Sequence, residues 1–499
     1  MKLPALAGLA LAPFCLLANN LSVTNVALSA LGQGKAAISF DLSWEHSWRD
    51  VENHDAAWVF VKYSPDGGTR WSHATLAASG LNPVGFSSGS GTAAEISVPS
   101  DRKGAFVRRA AAGSGTFSAT GVTLVWDFAA DGVSPHIRPV VRVNGIEMVL
   151  IPRGSFTIGS TDANDSAGKG PFYVTFINSP DMTLAPNSGS GKVADPYYAE
   201  AGCGRQGNIT GTFPEGFPNG YEAFYCAKHE LSESAYAAML NTLTVPQAVS
   251  CFCPGINGLT GTVTDFACSF GSDYPERAIC LVSPDKTAWR YAASFVDWAA
   301  LRPITDLEYQ KAMRGPLPPV LYEYAWGTTF IQHSLKTEVT GAGTAEELPA
   351  PGANAACDAA GVQTPRRPLR VGAFAREGTT REQAGAGYYG PLNLSDNVLD
   401  RAATSGDGNY NNYDTAGPAN CFFDGTHGDG ALAPDGETDE PNWNPGVKGV
   451  NVIHNGYTSM GGGFDHSNAK MLRADARHKW NYTYCGSVGG MRAARTAEE

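Results

Sequence analysis

The residues best suited to chemistry are carboxylates gathered in a glycine-rich stretch near the C-terminus. They are Asp424, Asp429, Asp435, Glu437, Asp439 and Glu440. Carboxylate oxygens on a flexible loop are the ligands that Ca²⁺ prefers. We therefore predict a cation-binding loop at Asp424, Asp429 and Asp435. A solvated acidic loop without an ion is the alternative interpretation.

Cysteines form a second reactive set, and nine of the ten lie beyond residue 200. These nine are Cys203, Cys226, Cys251, Cys253, Cys268, Cys280, Cys357, Cys421 and Cys485. In an oxidising compartment cysteines are most simply structural disulfides, so we predict that these residues are disulfide-bonded, with pairings left open. Zinc held by Cys251 and Cys253 together with Cys268 and Cys280 is the alternative, although the C-x-C spacing and the exported context argue against it.

Two short clusters combine aromatic and amide side chains. One contains Tyr410 and Tyr413, and the other contains Trp480 and Tyr482. Aromatic groups of this kind suit the recognition of sugars or proteins, which makes both clusters candidates for a binding surface. Packing of the loops against each other explains them equally well.

The elements that must position these residues differ between the two parts of the chain. Residues 36–44 and 57–64 are rich in β-branched and aromatic residues, and residues 94–98 and 122–126 repeat this pattern. Short strands with no helical period between them predict a β-sandwich over residues 19–133.

Residues 140–499 are predicted to form a second domain. Asn144-Gly145 predicts a hairpin turn, because this dipeptide suits positive φ at both central positions. A helix is predicted over residues 231–243 with Ser232 as its cap. A second helix is predicted after Thr305, where Glu308 completes a capping box.

Several segments of this second part follow one another in a recognisable order. They read Ile-Pro-Arg-Gly-Ser-Phe-Thr-Ile-Gly, Glu-Leu-Ser, Arg-Pro-Ile-Thr-Asp-Leu-Glu, Tyr-Ala-Trp-Gly, Leu-Ser-Asp-Asn-Val-Leu-Asp, Gly-Gly-Gly-Phe and Gly-Gly-Met-Arg. They lie within residues 143–159, 224–232, 302–315, 324–327, 390–400, 461–464 and 489–495. In this order the segments resemble the sulfatase-modifying-factor, or formylglycine-generating enzyme, family.

The resemblance implies an α+β fold in which the β-sandwich is followed by a loop-rich, C-type-lectin-like domain with calcium in its loops. Asn397 and Asp400 fall on the family's Asn-Val-Trp-Glu positions, where calcium commonly binds. The resemblance therefore implies calcium at Asn397, Val398 and Asp400, which we call the calcium triad. Capping of the local turn by Asn397 and Asp400 is the alternative.

The same resemblance implies a choice between an enzyme and a non-catalytic relative. The family's oxidases hold copper with two cysteines just after the Gly-Gly-Ser-aromatic element, because Cu(I) requires soft thiolate ligands. Residues 464–473 contain no cysteine here, so no copper is expected. Asp465, His466 and His427 could form a different metal or hydrolytic site, but no nucleophile accompanies them at a recognisable turn.

Composition and charge limit the classes of partner that the chain can bind. The net charge is −12 and no long run of lysine and arginine occurs, which disfavours nucleic acid. Residues 1–18 have the charged start, short apolar run and small final residue of an export signal, and no later stretch is apolar enough to be read as a membrane helix.

These features together predict a secreted or cell-surface protein of bacterial type without catalytic activity. It would associate with further copies of itself, or with an envelope protein or glycan, through calcium-stabilised loops. The alternative is a formylglycine-generating-type oxidoreductase, or another maturation enzyme, with a relocated site.

Overall fold

The structure of the chain is a computed structural model. It describes residues 21–159, 175–180, 216–253, 258–264, 268–281, 288–334, 339–342, 344, 346–357, 367–403, 423–443, 457–465, 469–476 and 489–498. β-Sheet predominates among them and the α-helices are few, which confirms the sheet-rich α+β class predicted from the sequence. The export signal at residues 1–18, the aromatic clusters and Cys203, Cys421 and Cys485 lie outside the described residues.

Twenty strands are formed by the described residues. They are β1 (Ser22–Gly32), β2 (Lys35–Arg49), β3 (Asp55–Ser64), β4 (Ser72–His73), β5 (Gly80–Leu81), β6 (Ser90–Gly91), β7 (Ala94–Val98), β8 (Ala105–Arg109), β9 (Gly113–Asp127), β10 (Val140–Ile151), β11 (Phe156–Ile158), β12 (Thr175–Ile177), β13 (Phe224–Ala227), β14 (Leu259–Val263), β15 (Cys268–Ser272), β16 (Arg302–Pro303), β17 (Leu399–Ala403), β18 (Tyr457–Met460), β19 (Gly489–Met491) and β20 (Ala493–Thr496). The helices are α1 (Glu233–Leu240), α2 (Val245–Cys251), α3 (Ala288–Trp298) and α4 (Asp306–Arg314).

One large sheet passes through both parts of the chain. Its strand order is β16-β20-β13-β10-β3-β8-β7-β5, with β4 paired to β3. The first four of these strands come from beyond residue 139 and the others from before residue 110. A second sheet, β1-β2-β9-β6, contains only N-terminal strands.

Strand β3 is buried along its whole length because both of its faces are covered. Val59 and Val61 belong to a hydrophobic core shared with β1, β2 and β9. Trp58 and Phe60 point to the other face and join a core built with α1 and α3. Strands covered on both faces read as continuous apolar runs, which explains why β3 lacks the alternation seen in β2.

The hairpin predicted at Asn144-Gly145 is wrong, because β10 continues straight through both residues. Residues 140–149 of β10 pair with β3 in an unbroken antiparallel register, and residues 148–151 pair with β13 on the other side. Neither Asn144 nor Gly145 has positive φ. The extended pairing with two neighbouring strands outweighs the local turn preference of this dipeptide.

A buried ion cluster links the strands at the centre of the large sheet. Lys228 follows β13 directly, and its Nζ lies 3.1 Å from Asp55 of β3 and 3.0 Å from Glu147 of β10. Burial raises the pKa of Glu147 to about 7, although Lys228 acts against this. Buried charges are tolerated only when paired, so the three side chains fix one another's positions.

Both predicted helix starts are confirmed. The Oγ of Ser232 accepts a hydrogen bond from the Ala235 amide at 3.2 Å before α1. Thr305 and Glu308 form the expected capping box at the start of α4. Among the helices that the described residues form, none has the length and apolar character needed to cross a membrane.

The disulfide prediction is wrong for the cysteines that the structure describes with their side chains. Cys226, Cys251, Cys253, Cys280 and Cys357 are buried thiols. The Cys226 and Cys251 thiols donate to backbone carbonyls, at 3.5 Å to Ala227 and 3.2 Å to Gly436. Burial among packed side chains accounts for both positions without a covalent bond. Cys268 begins β15, but its side chain lies outside the described set.

We expect Trp58→Ala to destabilise the protein by about 3–5 kcal/mol, because it empties a large site in the shared core. The Trp58 side chain is fully buried, and its Nε1 donates to the Ala299 carbonyl at 2.9 Å. Urea unfolding measures the change. Val84→Ala, at a side chain 98% exposed, is the control and should leave the midpoint unaltered.

Candidate cation site

The described part of the acidic loop, residues 423–443, is fastened to strands from both ends of the chain. The Lys62 ammonium of β3 donates to the Gly430 carbonyl at 2.7 Å. The Thr496 amide of β20 donates to His427 Nε2 at 3.0 Å. The loop therefore has a defined place against the large sheet.

Gly430 permits this close approach. Its φ is +87°, a conformation that side chains disfavour, and a Cβ atom there would lie 2.1 Å from the ring of His73. Any larger residue would push the loop away from β4. Glycine at this position thus lets the loop pack against β4, which sets the position of the neighbouring carboxylates.

Four carboxylates converge where the acidic loop crosses the end of α3. We call them the carboxylate cluster: Asp297, Asp429, Asp439 and Glu440. Each offers one oxygen, and these oxygens all lie within 4.8 Å of one another. Such a set of hard oxygen ligands could hold a metal ion.

Asp297 is the buried member of the carboxylate cluster. Its Oδ2 accepts a hydrogen bond from the Thr438 hydroxyl at 2.6 Å, whereas its Oδ1 has no hydrogen-bond partner although the residue is 0% exposed. Asp297 also lies in the last turn of α3, where the helix dipole disfavours negative charge. A buried polar atom without a partner requires an explanation, and a bound ion is one.

Burial and neighbouring carboxylates shift the pKa values of the cluster. Burial raises the pKa of Asp297 to about 7. Burial and then Asp429 and Asp439 raise the pKa of Glu440 to about 7 as well. Burial lowers the pKa of Lys62 well below its usual range, although Asp297 and Asp429 oppose this. Lys62 is therefore a weak source of compensating charge.

No protein-family model matches the chain, and no curated protein matches it either. Membership of the sulfatase-modifying-factor family therefore stays a prediction. Function has to be inferred from the arrangement of the side chains.

Of the three residues predicted for the cation loop, the structure brings only Asp429 into the carboxylate cluster. Asp424 instead accepts hydrogen bonds from the Thr426 amide at 3.0 Å and from Asn442 Nδ2 at 2.8 Å. Asp435 accepts from the Glu437 amide at 3.3 Å. Both shape the loop from within.

Sequence reasoning missed Asp297, which lies more than a hundred residues before the loop. The only signal was an acidic residue in the last turn of a helix, a place where basic residues are favoured. The unfavourable position of this acid is visible in the sequence, but the residues that Asp297 meets in the fold are not.

The structure places the calcium triad in the interior, beside Glu230. The Asn397 Nδ2 donates to Glu230 Oε2 at 2.6 Å, and the Val398 amide donates to Glu230 Oε1 at 2.9 Å. The Asn397 Oδ1 accepts from the Leu369 amide at 2.7 Å. The Asn397 amide group is thus already engaged with protein partners.

Asp400, the third member of the triad, is paired with a buried arginine. Arg492 Nε lies 2.9 Å from Asp400 Oδ2, and the Tyr309 hydroxyl donates to the same oxygen at 3.0 Å. The guanidinium supplies the positive charge that a calcium ion would supply. The Asp400 Oδ1 has no hydrogen-bond partner among the described residues, so calcium at these residues stays a prediction.

We expect Arg492→Met to lower the free energy of unfolding by about 3–5 kcal/mol, because it leaves Asp400 buried without its counter-charge. Urea unfolding followed by tryptophan fluorescence measures the effect. Arg70→Met is the control, since Arg70 forms an exposed pair with Asp66 and its side chain is 75% exposed. The control should leave stability nearly unchanged, because exposed ion pairs contribute little.

The raised pKa values of Asp297 and Glu440 also predict a pH dependence. Without metal, the folded state holds protons that the unfolded state has released, so stability should fall as pH rises from about 4 to about 7. A cation must displace those protons, and its affinity should fall as pH drops below about 7. Calorimetric titration with CaCl₂ at pH 6 and pH 8 measures both affinities. Equal affinities would contradict the prediction.

Proposed function

We propose that this chain is a non-catalytic, exported structural or binding protein whose acidic loop is fastened by a divalent cation in the carboxylate cluster. The buried Asp297 Oδ1, which has no hydrogen-bond partner, carries the proposal. A cation there relieves three unfavourable features at once: a buried charge, an unused acceptor and an acid at the negative end of a helix.

Calcium suits the site better than magnesium. The four oxygens lie within 4.8 Å of one another, close enough to share a single ion. Magnesium demands near-ideal octahedral geometry, whereas calcium tolerates varied ligand numbers and angles. Calcium also accepts irregular ligand geometry, such as a buried helix residue combined with more exposed loop residues.

A fastening role follows from what the carboxylate cluster joins. Asp297 belongs to a helix of the core, whereas Asp429, Asp439 and Glu440 belong to the acidic loop. An ion shared between them would crosslink the loop to α3, a few residues from the contact between Lys62 and Gly430. A loop held in this way presents a fixed surface to a second copy of the chain, to an envelope protein or to a glycan.

The resemblance to the sulfatase-modifying-factor family is consistent with this proposal. Two of its segments coincide with confirmed local structure: the capping box at Thr305 and Glu308, and strand β13 leading to the Ser232 cap. We propose on this basis a β-sandwich followed by a lectin-like domain. The missing cysteine pair after Phe464 supports a role without the family's oxidation chemistry.

Asp297→Asn tests the proposal, because it removes the buried charge while keeping the shape of the side chain. The dissociation constant for calcium should rise at least about tenfold, which is about 1.4 kcal/mol. The melting temperature without calcium should stay the same or rise, since a buried charge is removed, while the increase caused by calcium should shrink.

Glu437→Gln is the matched control, because Glu437 lies in the same loop but pairs with Arg290 at 3.5 Å outside the cluster. This variant should bind calcium as the unmodified chain does. Equal losses in both variants would show only a general charge effect. No calcium-dependent shift in the unmodified chain would refute the proposal, and a shift with magnesium alone would refute the choice of ion.

A further inference from the structure

A thiol and an imidazole lie in contact at residues that are not part of the acidic loop. The Cys357 Sγ lies 2.8 Å from the His333 Nδ1. Backbone pairing fixes this contact, since the Ser334 amide donates to the Ala355 carbonyl at 3.0 Å and the Asn354 amide donates to the Gln332 carbonyl at 2.9 Å. The pair is therefore built into the fold.

A small cavity of about 10 Å³ opens beside the sulfur. Its lining residues are Ser334, Val339, Ala356, Cys357, Arg367, Leu369 and Phe464. A volume of this size holds about one water molecule. Cys357 lines this cavity and is only 1% exposed.

His333 is suited to act as a base toward this thiol. Burial lowers the pKa of the half-buried His333, which keeps its imidazole neutral near pH 7. A neutral imidazole in contact with a thiol can take the proton as the sulfur attacks an electrophile. Neighbouring nucleophile and base within hydrogen-bond reach are the geometry that activates a cysteine.

Two other thiols in the described part of the chain, Cys226 and Cys251, have different partners. Cys226 and Cys251 donate to backbone carbonyls, and burial raises the pKa of each to about 12. Both should be inert, because the thiolate is the reactive form. They serve as internal controls for any reaction at Cys357.

We infer that Cys357 and His333 form a nucleophilic thiol site for a small peroxide, separate from the proposed cation site. The sulfur attacks one oxygen of hydrogen peroxide while His333 takes the thiol proton, and the O–O bond breaks. The leaving hydroxide receives the proton from His333 and departs as water. Sulfur is oxidised to sulfenic acid and the peroxide is reduced, so that thiol and peroxide yield sulfenic acid and water.

Treatment of the full chain with hydrogen peroxide and dimedone, followed by peptide mass spectrometry, tests the inference. Dimedone traps sulfenic acid, and the peptides containing Cys357, Cys226 and Cys251 are compared within one sample. We expect the Cys357 adduct to form at least about tenfold faster than the other two, given the usual contribution of a general base. His333→Gln should reduce the rate at Cys357 by at least about tenfold and leave the other two unchanged.

In His333→Gln, the direction in which the rate of adduct formation at Cys357 changes distinguishes loss of the base from local loosening of the fold. If the substitution only opened this part of the fold, Cys357 would become more accessible and its adduct would form faster, which would overturn the inference. Gln332→Ala, at an exposed neighbour in the sequence, is the matched control and should keep the full rate. Equal rates at Cys357 and Cys226 in the unmodified chain, or recovery of Cys357 as a disulfide before peroxide is added, would also overturn it.

Discussion

Burial of β3 on both faces is the constraint on which the rest of the structure depends. One face of this strand completes the N-terminal core and the other completes the core beneath α1 and α3. A ten-residue strand without a solvent-facing side can accept almost no polar substitution along its length. The exceptions are its charged residues Asp55 and Lys62, and each has a dedicated partner from a distant part of the chain.

Asp55 and Lys62 connect the large sheet to two polar groups from distant parts of the chain. Asp55 meets Lys228 after β13, whereas Lys62 meets the Gly430 carbonyl of the acidic loop. Burial makes each contact important, because a buried charged or polar group without a partner is costly. The same strand that joins the two cores thus also holds the acidic loop next to Asp429 of the carboxylate cluster.

Local patterns in the sequence predicted the local structure well. The alternation of Ile38, Phe40 and Leu42 predicted β2, and the Thr305–Glu308 capping box predicted the start of α4. The prediction at Asn144-Gly145 was wrong because pairing with two neighbouring strands decides that conformation, and sequence does not reveal neighbours. Asp297 was missed for the same reason, since its three companions lie far along the chain.

The continuity of the large sheet has a consequence for the evolution of the chain. Strand β10 pairs with β3 over residues 140–149 and with β13 over residues 148–151. The N-terminal region therefore cannot be exchanged as an independent domain. A gene rearrangement that separated the chain between residues 133 and 140 would remove β10 and leave one edge of β3 unpaired. A long apolar edge strand of this kind is prone to aggregation. Lineages carrying this protein are thus expected to inherit, duplicate or lose both halves together.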